Sequence, residues 1–417
     1  MADIATYMLQ TGQRPPSGDT GDSCPEPRRD CRARAKLSLP ALRRLAVESA
    51  QRVEREANAS WLWKGLHPKL VDGFTFTMPD TPENQAAFPQ PAGQAPGVGF
   101  PIARCCAVVS LATACLCDLA VGPYEGKQTG ELALLRDLLN AFEEKDLVVP
   151  SRLRACFDRY YCPFEAQGMS YMMLAIPSRL RTWLMLRGVH VCARLHQRRL
   201  SDFRRGRRLG PDDHGITWTR PVRPEWMSEA EYTRIPETLT LREVRFHVAV
   251  PGRRTETLTV ITTLTAPDVF SKEDIATLYG FWWNVELDIR SIKQTLGLDH
   301  LRCKTPDMVR RELWVTLLAY NLIRTVIATA AAVHGKQPRH LGFALACQTI
   351  LASWMLGATG SCSDAPAMYA TMLAHIAANE VANRPGRIEP RVLKRRRHRY
   401  PLMQRPRDEL RAELGKT

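Results

Sequence analysis

Three acidic residues, Asp72, Asp158 and Glu286, have surroundings that suit phosphoryl-transfer chemistry. Glu286 lies in YGFWWNVELDIRSIK, where Tyr279, Glu286 and Lys293 recur every seven residues. On one continuous helix that spacing drifts by only a few tens of degrees, so phenol, carboxylate and ammonium would share a face. The simpler reading is an amphipathic core helix with a solvated charged edge. Asp158 lies in CFDRYYC, where a strand-like run gives way to a loop. The C-terminal ends of strands are where α/β sheets place ligands, although a surface aspartate paired with Arg159 fits as well. Asp72 follows the apolar KLV and precedes Gly73. An Asp-Gly pair on its own reads as a hairpin turn. Taken together, the three carboxylates suffice for two Mg2+ ions, with Mn2+ as a substitute. Mg2+ binds through a few carboxylates, phosphate oxygens and water, and a pair about 3.5–4 Å apart serves in-line displacement at phosphorus.

The charge balance points the same way. Fifty-eight Lys and Arg stand against 43 Asp and Glu, a formal charge of +15. Such a chain favours a polyanionic partner, because neutralising phosphates releases counterions. Arg194, His196, Arg198, Arg199, Arg204, Arg205, Arg207 and Arg208 form the densest mid-chain run. Read as lacking compensating acids, they would repel one another without an anion, and a phosphate track explains them better than a solvated loop. Lys293 supplies a point charge for phosphate, Tyr279 a donor with a stacking face, and Arg290, one turn beyond Glu286, a guanidinium. Trp218 and Trp226 are interleaved with Arg220 and Arg223. Such aromatics stack on unpaired or flipped bases, though core tryptophans fit equally well.

The elements that must position these groups can be read along the chain. With 417 residues and 45% apolar content, a large core and more than one structural unit are expected. Residues 1–35 are polar and rich in Pro and Gly, and 37–63 show helical periodicity. Runs at 71–78, 99–113 and 114–121 read as strands, and GELALLRDLLNAFEE after Thr129 as a helix. Strand-like character returns at 147–161 and 189–195; 202–254 reads as a β-rich insertion, and helices are expected over 272–296, 305–335 and 338–358. The basic, proline-broken stretch 384–400 suits phosphate binding or disorder. Glu312, Asn321 and Arg324 are polar positions suited to supporting the catalytic helix, or to a network serving only the fold. The twelve cysteines show no CxxC and read as small apolar residues of a reducing compartment. Apolar stretches near 105–121 and 316–333 carry Asp118, Asn321 and Arg324, which argues for core elements over membrane spans. The expected location is the cytoplasm.

These features resemble one family. The chain is similar to the DDE transposases of bacterial insertion sequences whose third carboxylate sits in a Tyr-x2-Arg-x3-Glu-x6-Lys signature. The likeness runs from about Arg32 to Arg411 and includes VDGFTFTMPDTPENQAAFPQP, GKQTGELALLRDLL, DRYYC, RLHQRRLSDFRRGRRLG and LRCKTPDMVRRELWVTLLAYNLIR. It implies an RNase H-like mixed-sheet α/β core interrupted by a β-rich insertion, with a helical C-terminal region. The implied divisions are a polar leader and shortened N-terminal DNA-binding region over 1–66, core over 67–200, insertion over 201–256, core with the catalytic helix over 257–335, and the helical C-terminal region with a basic tail over 336–417. The resemblance implies Asp72, Asp158 and Glu286 as metal-binding catalytic residues. It also implies Tyr279 and Lys293 as holders of DNA-end phosphates. The reaction implied is metal-dependent cleavage at terminal inverted repeats followed by strand transfer into target DNA, by a homodimer on paired ends in the bacterial cytosol at the nucleoid. Three departures stand out: Trp282 at the signature's arginine position, a longer and more basic approach to Asp158 (PSRLRACF), and the short N-terminal region. They support a competing reading as a non-catalytic DNA-binding inhibitor or decayed transposase that keeps the fold. A stand-alone nuclease is a third.

Overall fold

A computed structural model of the chain describes residues 34–126, 129–150, 184–195, 201–220, 222–223, 227–248, 256–360, 364–381 and 403–414. Asp158, Arg198, Arg199, Trp226, the leader and the basic tail lie outside the described residues.

Among the described residues, nine strands share one sheet: β1 (His67–Thr77), β2 (Ile102–Ser110), β3 (Leu116–Pro123), β4 (Asp146–Pro150), β5 (His190–Arg194), β6 (Arg207–Gly210), β7 (Asp213–Thr219), β8 (Thr238–Val248) and β9 (Glu256–Thr262). Their order is β3-β2-β1-β4-β5-β9-β8-β7-β6. β2 runs antiparallel to both β1 and β3, whereas β4 is parallel to β1 and to β5. That order and polarity over the first five strands is the RNase H-like arrangement the resemblance implies. The β-rich insertion continues the same sheet. β9 pairs antiparallel with β5, Ala193 opposite Ile261, so the open edge of β5 is filled and β8, β7 and β6 follow outward.

The helices are α1 (Leu39–Arg55), α2 (Pro82–Ala87), α3 (Glu131–Asp137), α4 (Glu229–Thr233), α5 (Lys272–Gly280), α6 (Trp283–Arg290), α7 (Pro306–Val333), α8 (Phe343–Ala358), α9 (Ala365–Ala378) and α10 (Arg407–Leu414). Alternation along β1 sends Leu70, Phe74 and Phe76 to one face of the sheet and Val71 to the other. The first face is covered by α1, α5, α6 and α7 through Leu42, Ile275, Val285, Ile289, Leu313 and Leu317. The second is covered by α3 and the following turn through Leu134, Leu135 and Phe142. Cys105, Cys106 and Cys192 sit among these buried residues, and burial pushes the Cys192 thiol up to about 12, consistent with an apolar packing role.

α7 is long and apolar enough to cross a membrane, but packing accounts for its character. Leu313, Leu317, Tyr320, Ile323 and Ile327 are all buried in the core. Asn321 on this helix accepts from Leu116 N–H at 2.9 Å and donates to the carbonyls of Leu116 (2.9 Å) and Ala46 (2.8 Å), tying β3 and α1 to it.

The strand expected over 71–78 is present, and the turn that Asp-Gly suggests in isolation is not: β1 runs unbroken through Asp72-Gly73, with Asp72 opposite Ala107 and Gly73 opposite Cys106. Apolar partners on β2 keep the chain extended, which outweighs the local turn preference. One expectation needs correction: the helix over 272–296 is interrupted. Phe281 and Trp282 N–H donate three residues back, to Leu278 (3.0 Å) and Tyr279 (3.2 Å), and residues Ser291–Thr295 form a π-turn. A tightened joint and a widened turn depart from 3.6 residues per turn, so heptad spacing no longer guarantees one shared face.

Candidate active site

Val71 of β1 lies opposite Pro150 of β4, and Asp72 is the residue that follows it along β1. Alternation places Asp72 on the face of Leu70 and Phe74, which is the face covered by α6. The carboxylate is half-buried, and Oδ1 accepts from Gly73 N–H at 2.9 Å. On α6, Val285 and Ile289 point into the core and hold the helix against β1, while Glu286 between them stays half-buried. Asp72 and Glu286 thus lie on contacting elements, a strand of the sheet and the helix packed on it. Among the described residues no three His, Cys, Asp or Glu side chains converge as a metal site. Two carboxylates are an all-oxygen donor set that fits a hard divalent cation completing its shell with phosphate and water.

The flanking positions divide. Lys293, in the π-turn, pairs with Asp299 (Nζ–Oδ1 2.9 Å) and lies near Cys105, the β2 partner of Phe74. Asp299 is itself bound to the end of β1, where Thr77 N–H and Oγ1 donate to its carbonyl at 3.3 and 3.1 Å. Tyr279 is only 2% exposed and packs against Phe246 with ring centroids 6.3 Å apart, so its stacking face is occupied by the core. Arg290 is exposed and donates from Nε to Gln294 at 2.9 Å. Trp282 is half-buried at the start of α6 and meets Trp283 edge-on at 5.6 Å.

Of the described arginines of the basic run, Arg194 ends β5 in the middle of the sheet, opposite Val260, and the other four lie at its far edge. Arg207 and Arg208 are exposed on β6, the last strand. Arg204 and Arg205 are exposed too, but they are not without an acid: Asp202 accepts from Arg204 Nε at 3.0 Å and lies 3.6 Å from Arg205. The Arg204 hydrogen bonds hold the Asp202 carboxyl below its ordinary range. Gly206 turns this loop with φ +79°, and a Cβ there would run into the carbonyl of Gly215. Beneath the loop, His214 bonds to Arg205 O (2.6 Å) and Glu243 (3.1 Å), and Arg242 grips Asp213 through two bonds of 2.8 and 2.6 Å. Trp218, on β7, is 7% exposed among Leu239, Leu241 and Ile261, so it serves as a core residue in this conformation.

Of the polar positions on and near α7, Arg324 reaches α6 directly and donates to Asp288 at 3.1 Å. Glu312 instead accepts from the N–H groups of Arg302 and Cys303 at 3.0–3.2 Å. Asp288 and its second partner Arg339 went unrecognised in the sequence, because the contacts span 36 and 51 residues with no periodic signal. Glu131 was missed as well: its carboxylate sits against Gly73, on the back of the strand that bears Asp72.

Comparisons with known proteins identify the family. The family described as "Transposase DDE domain" matches residues 68–322, which contain β1 through most of α7. Transposase InsG for insertion sequence element IS4, from Escherichia coli K12, is 27% identical over 374 residues, covering 88% of this chain and 76% of InsG. The transposase for insertion sequence element IS421 of Escherichia coli is 37% identical over 60 residues, 14% of this chain and 16% of that protein. A solved piggyBac transposase synaptic complex with hairpin DNA covers 92% of this chain and 76% of its own, at 8% identity and a TM-score of 0.40, too distant to bear on the site. Because the family match spans more than half of its length, the chain belongs to the DDE transposases of insertion sequences, enzymes that act on DNA with divalent metal.

Proposed function

We propose that the chain uses Mg2+ to cut DNA at the terminal inverted repeats of its insertion sequence and to join the freed 3′-hydroxyl to target DNA. The observation that carries this reading is the placement of Asp72 and Glu286 on facing elements, β1 and α6, inside the matched domain. Asp72, Asp158 and Glu286 would hold two Mg2+ ions, for which Mn2+ can substitute. Metal bound there supplies activation of the attacking oxygen and stabilisation of the leaving one. The chain's own part is orientation and charge. Lys293, beside the end of β1, would hold a DNA-end phosphate, exchanging its bond to Asp299 for one to the anion. Arg290 would exchange its bond to Gln294 for one to the same backbone, and the Tyr279 hydroxyl would need release from its burial to take the role the signature gives it. The exposed Arg204, Arg205, Arg207 and Arg208, with Arg198 and Arg199, would track duplex phosphates away from the chemistry. A homodimer on paired ends, working in the cytoplasm at the nucleoid, completes the proposal.

One feature favours a second reading. Trp282 stands where the signature has an arginine, and an indole, with one uncharged N–H donor, cannot form the bidentate ion pair a guanidinium makes with phosphate. A chain that keeps the fold and binds DNA without cutting it would act as an inhibitor. The deciding experiment is cleavage of a plasmid carrying the flanking inverted repeats, in Mg2+ and then Mn2+, with Asp72→Ala, Asp158→Ala and Glu286→Ala. Cutting at repeat ends, abolished by each substitution, supports the enzyme; binding without cutting in either metal overturns it in favour of the inhibitor.

A further inference from the structure

Glu286 is carried by a helix with little continuity to hold it. α6 has eight residues, entered through the tightened joint at 281–282 and left through the π-turn, so neither end passes on an unbroken α-helical ladder. Val285 and Ile289 fix how deep the helix sits, but apolar contacts permit roll about its axis. Roll is what decides where Glu286 points.

Asp288 lies two residues on, about 200° round the helix from Glu286. It is 2% exposed. Its Oδ1 accepts from Arg324 Nη2 at 3.1 Å and its Oδ2 from Arg339 Nη2 at 2.8 Å. Each arginine is anchored in turn. Arg324, on α7, donates from Nε to the Tyr320 hydroxyl at 3.1 Å and lies over the Phe343 ring at 4.8 Å, while that hydroxyl donates to Ala114 O at 2.8 Å. Arg339, in the turn Pro338–His340, also donates to Ser110 O at 2.6 Å and, through Nε, to Leu111 O at the end of β2. One carboxylate therefore ties α6 to α7, to the 338–340 turn and to the strand that neighbours β1.

We infer that Asp288, through Arg324 and Arg339, is the positioning residue that sets the roll of α6 and so aims Glu286 at the metal shared with Asp72. The inference rests on the reading of Glu286 as a metal-binding carboxylate. Stability alone is a poor account of this cluster, because desolvating three charges offsets most of their attraction and apolar groups of equal volume would serve as well. Direction is what the cluster adds. Two charge-assisted bonds from different elements leave the Asp288 carboxylate one orientation, and the helix follows.

The test is Mn2+ binding to the intact protein, followed by loss of the free-ion EPR signal, for the natural chain, Glu286→Gln, Asp288→Asn and Arg339→Gln, with thermal melting of each. Asp288→Asn and Arg339→Gln are expected to weaken Mn2+ affinity about tenfold or more, the range in which groups behind metal ligands act. Arg339→Gln should melt cooperatively within a few degrees of the natural chain, since Arg324 keeps its bond. Mn2+ affinity unchanged in folded Asp288→Asn and Arg339→Gln, but lost in Glu286→Gln, overturns the positioning role and leaves the metal-site reading intact. Unchanged affinity in Glu286→Gln overturns both. Loss of cooperative melting in Arg339→Gln assigns the cluster to stability and overturns the inference as well.

Discussion

The carboxylate of Glu131, at the start of α3, occupies the space that a side chain at Gly73 would need. Gly73 follows Asp72 on β1 and faces the other side of the sheet, so α3 packs against the back of the strand that presents Asp72. Cys106, opposite Gly73, lies near both acids: burial first, then Glu131 and Asp72, push its thiol well above the ordinary range. Gly73→Ala is expected to lower stability by about 1–3 kcal/mol, the range for overpacking a close-fitted site. Glu131→Ala in the same chain should recover most of that loss. Denaturant unfolding of the single and double variants measures the coupling, and additive losses would refute the contact.

Trp218 sets packing against base recognition. Buried in the second core, it should cost about 3–5 kcal/mol on replacement by alanine. Trp218→Phe keeps most of the apolar volume and should leave DNA affinity unchanged. A large loss of affinity in Trp218→Phe, with its melting preserved, would restore the base-stacking role.

The exposed β6 edge should act through salt. Arg207→Ala with Arg208→Ala is expected to leave folding unchanged and to weaken binding to duplexes of any sequence. The slope of log K against log salt should fall by about 1 for each phosphate contact removed. A slope unchanged from the natural chain would place the phosphate track elsewhere.

A buried cluster behind the sheet predicts a pH dependence. Lys69 makes its closest ion pair with Glu54 and lies 3.8 Å from Asp146. Burial works to raise Glu54, but the charge and hydrogen bond of Lys69, with Ser110 and Thr113, outweigh it and hold the carboxyl low. Asp146 has the weaker share of Lys69, and burial pushes it up to about 6 from 3.8. A carboxyl raised on folding takes up a proton between those values, so its contribution is greatest below about pH 4 and is lost as pH rises through about 6. Asp146→Asn should therefore gain on the natural chain by about 3 kcal/mol between pH 4 and pH 7, measured by denaturant unfolding at each pH. A constant difference across that window would show that Asp146 titrates as it does in the unfolded chain.

Much of the architecture was legible without coordinates. The strand runs around Asp72, the helical periodicity of 305–335 and the β character of 202–254 are local patterns of apolar spacing, and each became an element near its expected place. Glu286 could be singled out because the groups around it repeat at helical spacing. Asp72 could not be separated from a hairpin turn, since Asp-Gly has the same local preference in both settings, and the partners that keep it extended lie more than thirty residues away on β2. Tyr279 and Trp218 were equally ambiguous, because an aromatic ring serves a core or a ligand with the same chemistry.

The residue types alone determined that this chain is basic, rich in strand and helix signals, and equipped with carboxylates suited to phosphoryl transfer, because composition and short-range periodicity are properties of neighbours in sequence. Only the tertiary structure decided that Asp72 sits inside β1 opposite Ala107, that Tyr279 turns inward, that Asp202 accompanies the arginine loop, and that Asp288 is held by Arg324 and Arg339. The strand pairing and the Asp288 contacts join positions tens of residues apart. Burial, ion pairing and strand pairing are set by which segments the core brings together, and no local pattern encodes them.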